Sequence, residues 1–251
     1  MTLRQRQTAA AAALAAVLLV FGGIDSAQAD SAMQWSITPY LWASTTTVDL
    51  SVRDTSIGGE VSFRDLLDTI DAAFMVHAEG GSGQWSAFVD LTYIDTSDTN
   101  QRTFLSVDTR SKQTILDAAV SWWPTGIGTP LSVFGGLRYS GFDDRYEFRS
   151  LGDNTLLGST RSEKDYYDAL LGLRYVFDFS DRWALHTRGD VSFGDSEGTL
   201  LLRALIGYTV GQRRQNRILF GYQYKQAEFE DGEVTTDFEF HGPMAGFNFR
   251  F

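Results

Sequence analysis

The sequence has no cysteine among its 251 residues. Disulfide bonds, thiolate catalysis and sulfur-ligated metal sites are therefore excluded, and stability must come from burial and backbone hydrogen bonding. Histidine is scarce as well: His77, His186 and His241 are the three in the chain, and no two are four residues apart. This pattern gives no indication of a metal site, so we predict neither a metal nor another cofactor.

Basic residues are also in deficit. Lys and Arg number 21 against 32 Asp and Glu, which gives a formal net charge of −11 at pH 7. Proteins that bind nucleic acid need positive charge to neutralise phosphates, so this balance argues against a nucleic-acid partner.

Long apolar runs are absent beyond the opening residues. Residues 1–29 have the three parts of a secretory signal, namely Arg4 and Arg6, an apolar stretch at 9–21, and the cleavage motif Ala27-Gln28-Ala29. We predict cleavage after Ala29 and one mature domain over 30–251. The stretch at 9–21 is shorter than the roughly 20 residues of a spanning helix. The mean hydropathy of −0.17 fits either a soluble protein or a spanning barrel, in which only alternate residues face lipid.

Apolar and polar residues alternate in most of the remaining chain. Because successive side chains of a strand point to opposite faces, each such segment has one apolar and one polar flank. In one segment, for example, Leu200 and Leu202 face one way and Arg203 the other. Ten segments show the pattern: 33–44, 71–81, 84–95, 110–123, 130–142, 163–178, 182–193, 197–210, 216–228 and 236–251.

Large aromatic residues fall at the ends of these segments. If successive strands run up and down, one rim collects Trp35, Trp85, Trp122, Tyr175, Trp183, Tyr208, Phe249 and Phe251, and the other collects Tyr93, Tyr139, Tyr167 and Tyr222. Trp85 and Tyr93 are separated by a rise of roughly 20 Å, given about 3.3 Å per residue and a tilt near 40°. Two aromatic girdles at this separation are typical of a membrane-spanning β-barrel.

The connections between segments agree with that architecture. Those at the first rim, near 82–83, 124–129, 179–181 and 211–215, are short, and those at the second, 45–70, 96–109 and 143–162, are long and acidic. In lipid every unpaired backbone group costs several kcal/mol, so the sheet must close on itself. We therefore predict an all-β protein, a closed antiparallel transmembrane β-barrel of about ten strands. Eight or twelve remain possible, because 46–52 and 59–63 could form an extra hairpin.

One segment has helical spacing. Ser62 to Asp65 has the form of a capping box, and Phe63, Leu66, Leu67 and Ile70 repeat at helical intervals. We predict a short helix near 63–70 that lies across or inside the outer mouth of the barrel, or packs on a surface loop.

The inward flanks collect charge. The predicted lumen network is Glu79, Asp90, Asp117, Arg138, Asp168, Arg174, Arg188, Asp190, Arg203 and Lys225, with Arg250, His77 and His186 also inward. Since buried charges must be paired and hydrogen-bonded, these residues are expected to brace the interior. A wide aqueous pore takes about 16 strands, so a ten-stranded barrel passes small solutes at most.

Two other functions stay open at this stage. His186, Asp190 and Ser192 lie on one inward flank and allow a Ser/His/Asp set to be drawn, and Glu239 shares a flank with His241. Neither arrangement is specific, so an outer-membrane hydrolase acting on lipid or peptide is an alternative, and no catalytic residue is predicted. A soluble periplasmic β-sandwich that binds a ligand is the third hypothesis.

Several stretches of the chain carry a resemblance to known sequences: 35–42, 62–67, 136–139, 188–191 with 193–194, 221–224 and 242–251. Together they resemble a widespread family of proteobacterial outer-membrane β-barrel proteins of unassigned function, which implies a small porin-like barrel. The resemblance departs at 191–193, where that family tends to carry consecutive glycines. It implies an outer-membrane location and a barrel fold, and it supplies no catalytic residues. The final strand, which ends at Phe251, resembles the signal read by the barrel assembly machinery, so that machinery and outer-membrane lipid are the expected partners.

Overall fold

The computed structural model describes residues 33–52, 55–102, 105–152, 155–211, 216–231 and 234–251. The predicted signal segment, 1–29, lies outside them. Within the described residues, no helix is long and apolar enough to cross a bilayer.

Twelve strands and one short helix make up the described chain. They are β1 (Gln34–Trp42), β2 (Thr45–Val52), β3 (Thr55–Val61), α1 (Phe63–Leu67), β4 (Ile70–Ser82), β5 (Trp85–Arg102), β6 (Leu105–Trp122), β7 (Leu131–Ser150), β8 (Leu156–Asp178), β9 (Trp183–Gly194), β10 (Gly198–Val210), β11 (Asn216–Asp231) and β12 (Val234–Arg250).

Ten of the strands close into one antiparallel barrel. Neighbours pair in the order β1, β4 through β12, and β1 then pairs with β12 to complete the ring. The closing seam runs from Ser36 opposite Arg250 to Trp42 opposite Met244. The predicted fold, a closed antiparallel barrel of ten strands, is confirmed, and a two-sheet sandwich is excluded.

The two remaining strands form a hairpin on the wall of the barrel. The first half of β12, from Val234 to His241, pairs with β2, and the second half pairs with β1. β1 and β2 thus lie end to end along the same edge of β12, and β3 pairs with the other side of β2. The extra hairpin that the sequence left open does form, and it extends the wall without enlarging the ring.

The two ends of the barrel differ. We call the end with the connections 83–84, 123–130 and 179–182 the turn end, and the opposite end the hairpin end. The prediction of long loops at 96–109 and 143–162 was wrong, because β5 pairs with β6 out to Arg102 and β7 with β8 out to Arg149. These extensions are mostly polar, with only scattered apolar residues such as Val107, Phe148 and Leu157, so they lack the sustained alternation that marks a half-apolar strand.

The helix is shorter than the predicted segment 63–70, and its side chains are not buried in the mouth of the barrel. α1 has the predicted capping box: the Ser62 side chain accepts a hydrogen bond from the Asp65 backbone N–H, and the Ser62 N–H donates to the Asp65 carboxylate. It contains no buried residue, and Leu67 is exposed. The helix therefore does not enter the barrel.

Burial follows the alternation strand by strand. In β10, Leu201 and Leu205 are buried, whereas Leu202 between them is 51% exposed. In β5, Phe88 and Asp90 are buried and Trp85 is exposed. The core is therefore the lumen, and it contains more buried polar residues than apolar ones among the described side chains.

Candidate functional site

The middle of the lumen is filled by ion pairs that we call the plug: Asp90, Asp117, Arg138, Arg188 and Asp190. Arg138 donates from Nε to Asp117 Oδ1 at 2.7 Å and from Nη2 to Asp190 Oδ1 at 2.9 Å. Its side chain is 1% exposed, although a guanidinium is costly to bury. Because β6, β7 and β9 each supply a charge, the contacts fix these strands relative to one another.

Arg188 extends the plug across the barrel. Its Nε donates to Asp190 Oδ2 at 2.6 Å, its Nη2 to Asp117 Oδ2 at 2.8 Å and its Nη1 to Asp90 Oδ2 at 3.3 Å. Asp90 also accepts a hydrogen bond from the Tyr40 hydroxyl at 2.6 Å. A chain of charged contacts therefore spans the lumen from β9 through β5 to β1.

Two phenylalanines complete the plug on the side of the turn end. Phe88 and Phe134 pack edge to face with ring centroids 5.2 Å apart. The guanidinium carbon of Arg174 lies 5.1 Å from the Phe88 centroid, and that of Arg188 lies 5.1 Å from the Phe134 centroid. Such cation–π contacts stabilise arginines that have been withdrawn from water.

Arg174 is held by a carboxylate from the opposite wall. Its Nη1 and Nη2 donate to the two oxygens of Glu79, each at 2.8 Å. His77 lies between Glu79 and Asp90, with Nδ1 at 3.2 Å from Asp90 Oδ2. The bidentate pair of Arg174 and Glu79 joins β8 to β4, and its two parallel hydrogen bonds have the geometry of a strong charged pair.

Hydroxyl groups carry the network towards the hairpin end. Arg138 Nη1 donates to Thr199 Oγ1 at 2.6 Å, and Thr199 contacts the Ser192 hydroxyl at 2.7 Å. Ser192 in turn donates to Asp168 Oδ2 at 2.9 Å, and Ser196 donates to the same oxygen at 2.6 Å.

Aromatic side chains close the hairpin end above the plug. We call Phe142, Tyr166, Phe229, Phe238 and Phe240 the outer aromatic cluster. Tyr166 and Phe229 have centroids 4.4 Å apart, and Phe238 stacks on Phe240 at 5.9 Å. A cavity of about 20 Å³ borders the plug at Asp90, Asp117 and Arg138, and its volume is close to that of one water molecule.

A larger cavity, which we call the vestibule, lies between the plug and the turn end. Its volume is about 210 Å³, and Gly128, Thr129 and Asp178 line it near the turn end. Most of the charged side chains that line it are arginines. The lumen thus consists of an open basic chamber, a charged plug and an aromatic cluster.

All ten predicted lumen residues have inward positions in their strands. Five form the plug, Glu79 binds Arg174, and Asp168 binds the two serines. Arg203 donates to Gln223 Oε1 at 2.6 Å, and Lys225 is buried beside the small cavity. Whether this network only braces the barrel or also conducts stays a prediction.

Six of the twelve predicted girdle residues lie in register pairs at the two ends. Trp85 opposes Trp122 and Trp183 opposes Tyr208 near the turn end, as shown by the strand registers. Tyr139 opposes Tyr167 on the other side. The remaining members are Trp35, Tyr175, Phe249 and Phe251, which are exposed near the turn end, and Tyr93 and Tyr222, which lie towards the hairpin end.

Sequence analysis missed the aromatic contribution to the lumen. Phe134, Phe142 and Phe240 share the inward flank of their strands with Arg138 and Met244. The same period-2 rule that assigned the charges would have found them. They were overlooked because a large aromatic residue in such a barrel is expected at the rim.

The drawn catalytic sets do not assemble. His186 Nε2 contacts Arg217 Nη1 at 3.0 Å, whereas Asp190 is bound by two arginines and Ser192 by Asp168. His241 contacts the hydroxyl of Tyr222 at 2.8 Å. Within the described ranges, no group of three or more His, Asp or Glu side chains could hold a metal ion.

Comparison with a solved outer-membrane protease supports the fold. The outer membrane protease OmpT from Escherichia coli is similar in structure, with a TM-score of 0.55 and 9% identity over 90% of this chain and 99% of that one. Ail of Yersinia pestis covers 86% of this chain and 99% of its own at 9% identity, with a TM-score of 0.39. OprG from Pseudomonas aeruginosa covers 90% and 99% at 11% identity, with a TM-score of 0.32.

These likenesses show a fold and no activity. No protein-family model matches the chain, and no curated protein matches it. The chain has the fold of bacterial outer-membrane β-barrel proteins, as the resemblance in its sequence implied. Because one fold can host unrelated functions, the function of this chain depends on the chemistry of its lumen.

Proposed function

We propose that this chain is an integral protein of the Gram-negative outer membrane, a structural or porin-like barrel that passes small solutes at most. The plug carries this proposal. Arg138 and Arg188 bind carboxylates on β5, β6 and β9, and together they occupy the lumen at mid-height. A ten-stranded ring has little interior left once side chains of this size fill it.

The outward surface supports a membrane location. Large apolar side chains on the outside of the barrel are extensively exposed, among them Leu41, Leu137, Leu171, Leu202 and Phe220. Soluble proteins rarely expose a continuous apolar surface of this extent, whereas acyl chains would cover it. Rows of aromatic residues limit this surface towards both ends, as girdles do at a membrane interface.

Outer-membrane lipid is the proposed partner of the region beyond the aromatic residues at the hairpin end (Tyr93, Tyr139, Tyr167 and Tyr222), which we call the upper girdle. Arg110, Arg145 and Arg161 lie opposite one another on β6, β7 and β8 and, with Lys112, line one shallow external pocket. Arg110 pairs with Asp95 and Arg161 with Asp143. Like charges directly opposite one another are destabilising, and anionic lipid headgroups at this height would offset the repulsion.

Planar-bilayer recording tests the closed lumen. We expect the wild-type barrel to give no steady stepwise current. A variant that carries Arg188→Ser with Phe134→Ala should conduct, because it removes one charge and one ring from the plug and keeps the bond between Arg138 and Asp117. Arg161→Ser, on the external surface, is the matched control and should behave like the wild type.

Folding must be established for each variant in the same preparations. Heat-modifiable gel mobility reports the closed barrel and so separates an unfolded variant from a silent one. A large, steady wild-type current would contradict the proposal. Release of the protein by osmotic shock without detergent would contradict the membrane location.

A further inference from the structure

The vestibule has a charge opposite to that of the whole chain. Its lining includes five arginines, Arg174, Arg188, Arg203, Arg217 and Arg250, against two carboxylates, Glu79 and Asp178. The formal charge of the complete sequence is −11. A positive chamber inside an acidic protein is a local feature of the lumen.

Two of the five arginines are already paired with carboxylates. Arg174 takes both oxygens of Glu79, and Arg188 is bound by the aspartates of the plug. Neither of these arginines needs a further counter-charge. The positive excess of the vestibule therefore resides in the other three arginines.

Those three have neutral hydrogen-bond partners in the described part of the chain. Arg217 Nη1 contacts His186 Nε2 at 3.0 Å, and Arg250 Nε donates to Asn248 Oδ1 at 3.0 Å. Arg203 Nε donates to Gln223, and the nearest carboxylate oxygen to Arg203 is that of Asp90 at 3.8 Å. Most of the donor groups of these guanidiniums thus remain available to a ligand.

The strand register brings like charges together. Arg174, Arg188 and Arg203 lie directly opposite one another on β8, β9 and β10. Such a row is destabilising unless negative charge faces it. The single negative charge of Asp178 does not balance the three positive charges of Arg203, Arg217 and Arg250. A bound anion would therefore lower the electrostatic energy of the folded barrel.

One part of the remaining vestibule wall is apolar, between polar side chains such as Thr38 and Asn248. Leu205, Leu219 and Met244 line the same chamber as the three arginines. Its volume of about 210 Å³ exceeds the ~150 Å³ of an engineered cavity that binds benzene. A second cavity, of about 360 Å³, shares Ser36 and Arg250 with it and continues to Trp35 and Phe251. A ligand therefore has a route from the turn end.

We propose that the vestibule is a binding site for a small organic carboxylate. The carboxylate would accept hydrogen bonds from Arg203, Arg217 and Arg250, whose planar forks match it, and a short apolar body would lie against Leu205, Leu219 and Met244. The site is separate from conduction: a closed barrel can bind such an anion, and a conducting barrel can fail to bind it.

Calorimetric titration of the folded, detergent-solubilised barrel with benzoate tests this proposal. Benzyl alcohol matches benzoate in size without its charge, and inorganic phosphate has charge without the apolar body. We expect benzoate to bind at least tenfold more tightly than either. Absence of benzoate binding, equal binding of benzyl alcohol, or tighter binding of phosphate would each overturn the assignment.

Variants locate the site. Arg217→Gln with Arg250→Gln should weaken benzoate binding at least tenfold, whereas Arg145→Gln with Arg161→Gln, on the external surface, should leave it unchanged. Unaltered binding by the first pair would overturn the proposal. If the first pair fails to give a heat-modifiable barrel, Arg250→Gln alone replaces it, since Arg250 is exposed at the turn end. Its expected effect is severalfold, and binding equal to that of the wild type would again contradict the site.

Discussion

Phe134 is packed so closely in the plug that the residue opposite it on β8 must be small. That residue is Gly172, where a Cβ atom would lie 2.3 Å from Phe134 Cζ and 2.7 Å from the carbonyl oxygen of Gly189. The ring cannot move away easily, because Phe88 and the Arg188 guanidinium contact it. The absence of a side chain at Gly172 is therefore part of how the plug closes.

Replacing Gly172 by alanine should destabilise the barrel by about 1–3 kcal/mol, the range for overpacking a filled interior. Gly135→Ala is the matched control, since Gly135 lies on the outward flank of β7 and its Cβ would have no neighbour closer than 3.7 Å. Urea unfolding of the two variants in the same bilayers measures the difference. Equal stabilities would show that the interior at Gly172 is looser than the structure has it.

At the level of elements, the seam between β12 and its two neighbours shows what alternation predicts and what it does not. All ten barrel strands were foreseen from period-2 segments, because each has a lipid-facing apolar flank. β2 alternates only from Val48 to Val52 and β3 hardly at all, so the sequence left their hairpin open. Partner choice was equally out of reach: nothing local indicates that β12 changes from β2 to β1 near Gly242, since that depends on closure of the ring.

The hairpin should be separable from the ring. Val48→Pro removes a backbone donor at a position where β2 faces Phe238 of β12 and Gly59 of β3. We expect a folded, heat-modifiable barrel in which hydrogen exchange of β2 and β3 amides is at least tenfold faster and that of β4 is unchanged. Leu202→Pro is the contrast, because β10 is a strand of the closed ring, where Leu202 pairs with Gly189 and Tyr224, and this variant should not fold. Loss of folding in Val48→Pro would mean that the hairpin is needed for closure.

For the whole molecule, the sequence identified which charges face inward but not which of them would meet. Arg174 and Glu79 are 95 residues apart, and Arg138 and Asp190 are 52 apart. Their contacts depend on the curvature that brings opposite walls together. For the same reason the list of inward charges does not show that the structure separates them into a paired plug and a positive vestibule. The distribution of charge along the axis is set by register, which composition does not contain.

The membrane itself is tested at a single position of the outward surface. Leu171 lies midway between Tyr167 and Tyr175 on β8, and its side chain is 53% exposed. An arginine there would face the centre of the bilayer, which costs about 2–4 kcal/mol in a spanning barrel. Leu157, on the same strand beyond the upper girdle, is 61% exposed, so Leu157→Arg should change the stability little. Unfolding in lipid vesicles compares the two variants. In a water-soluble barrel water would surround both leucines, and neither arginine would be destabilising. Equal stabilities of the two variants would therefore argue against the bilayer. A loss of stability in Leu171→Arg alone is the result expected if acyl chains surround Leu171.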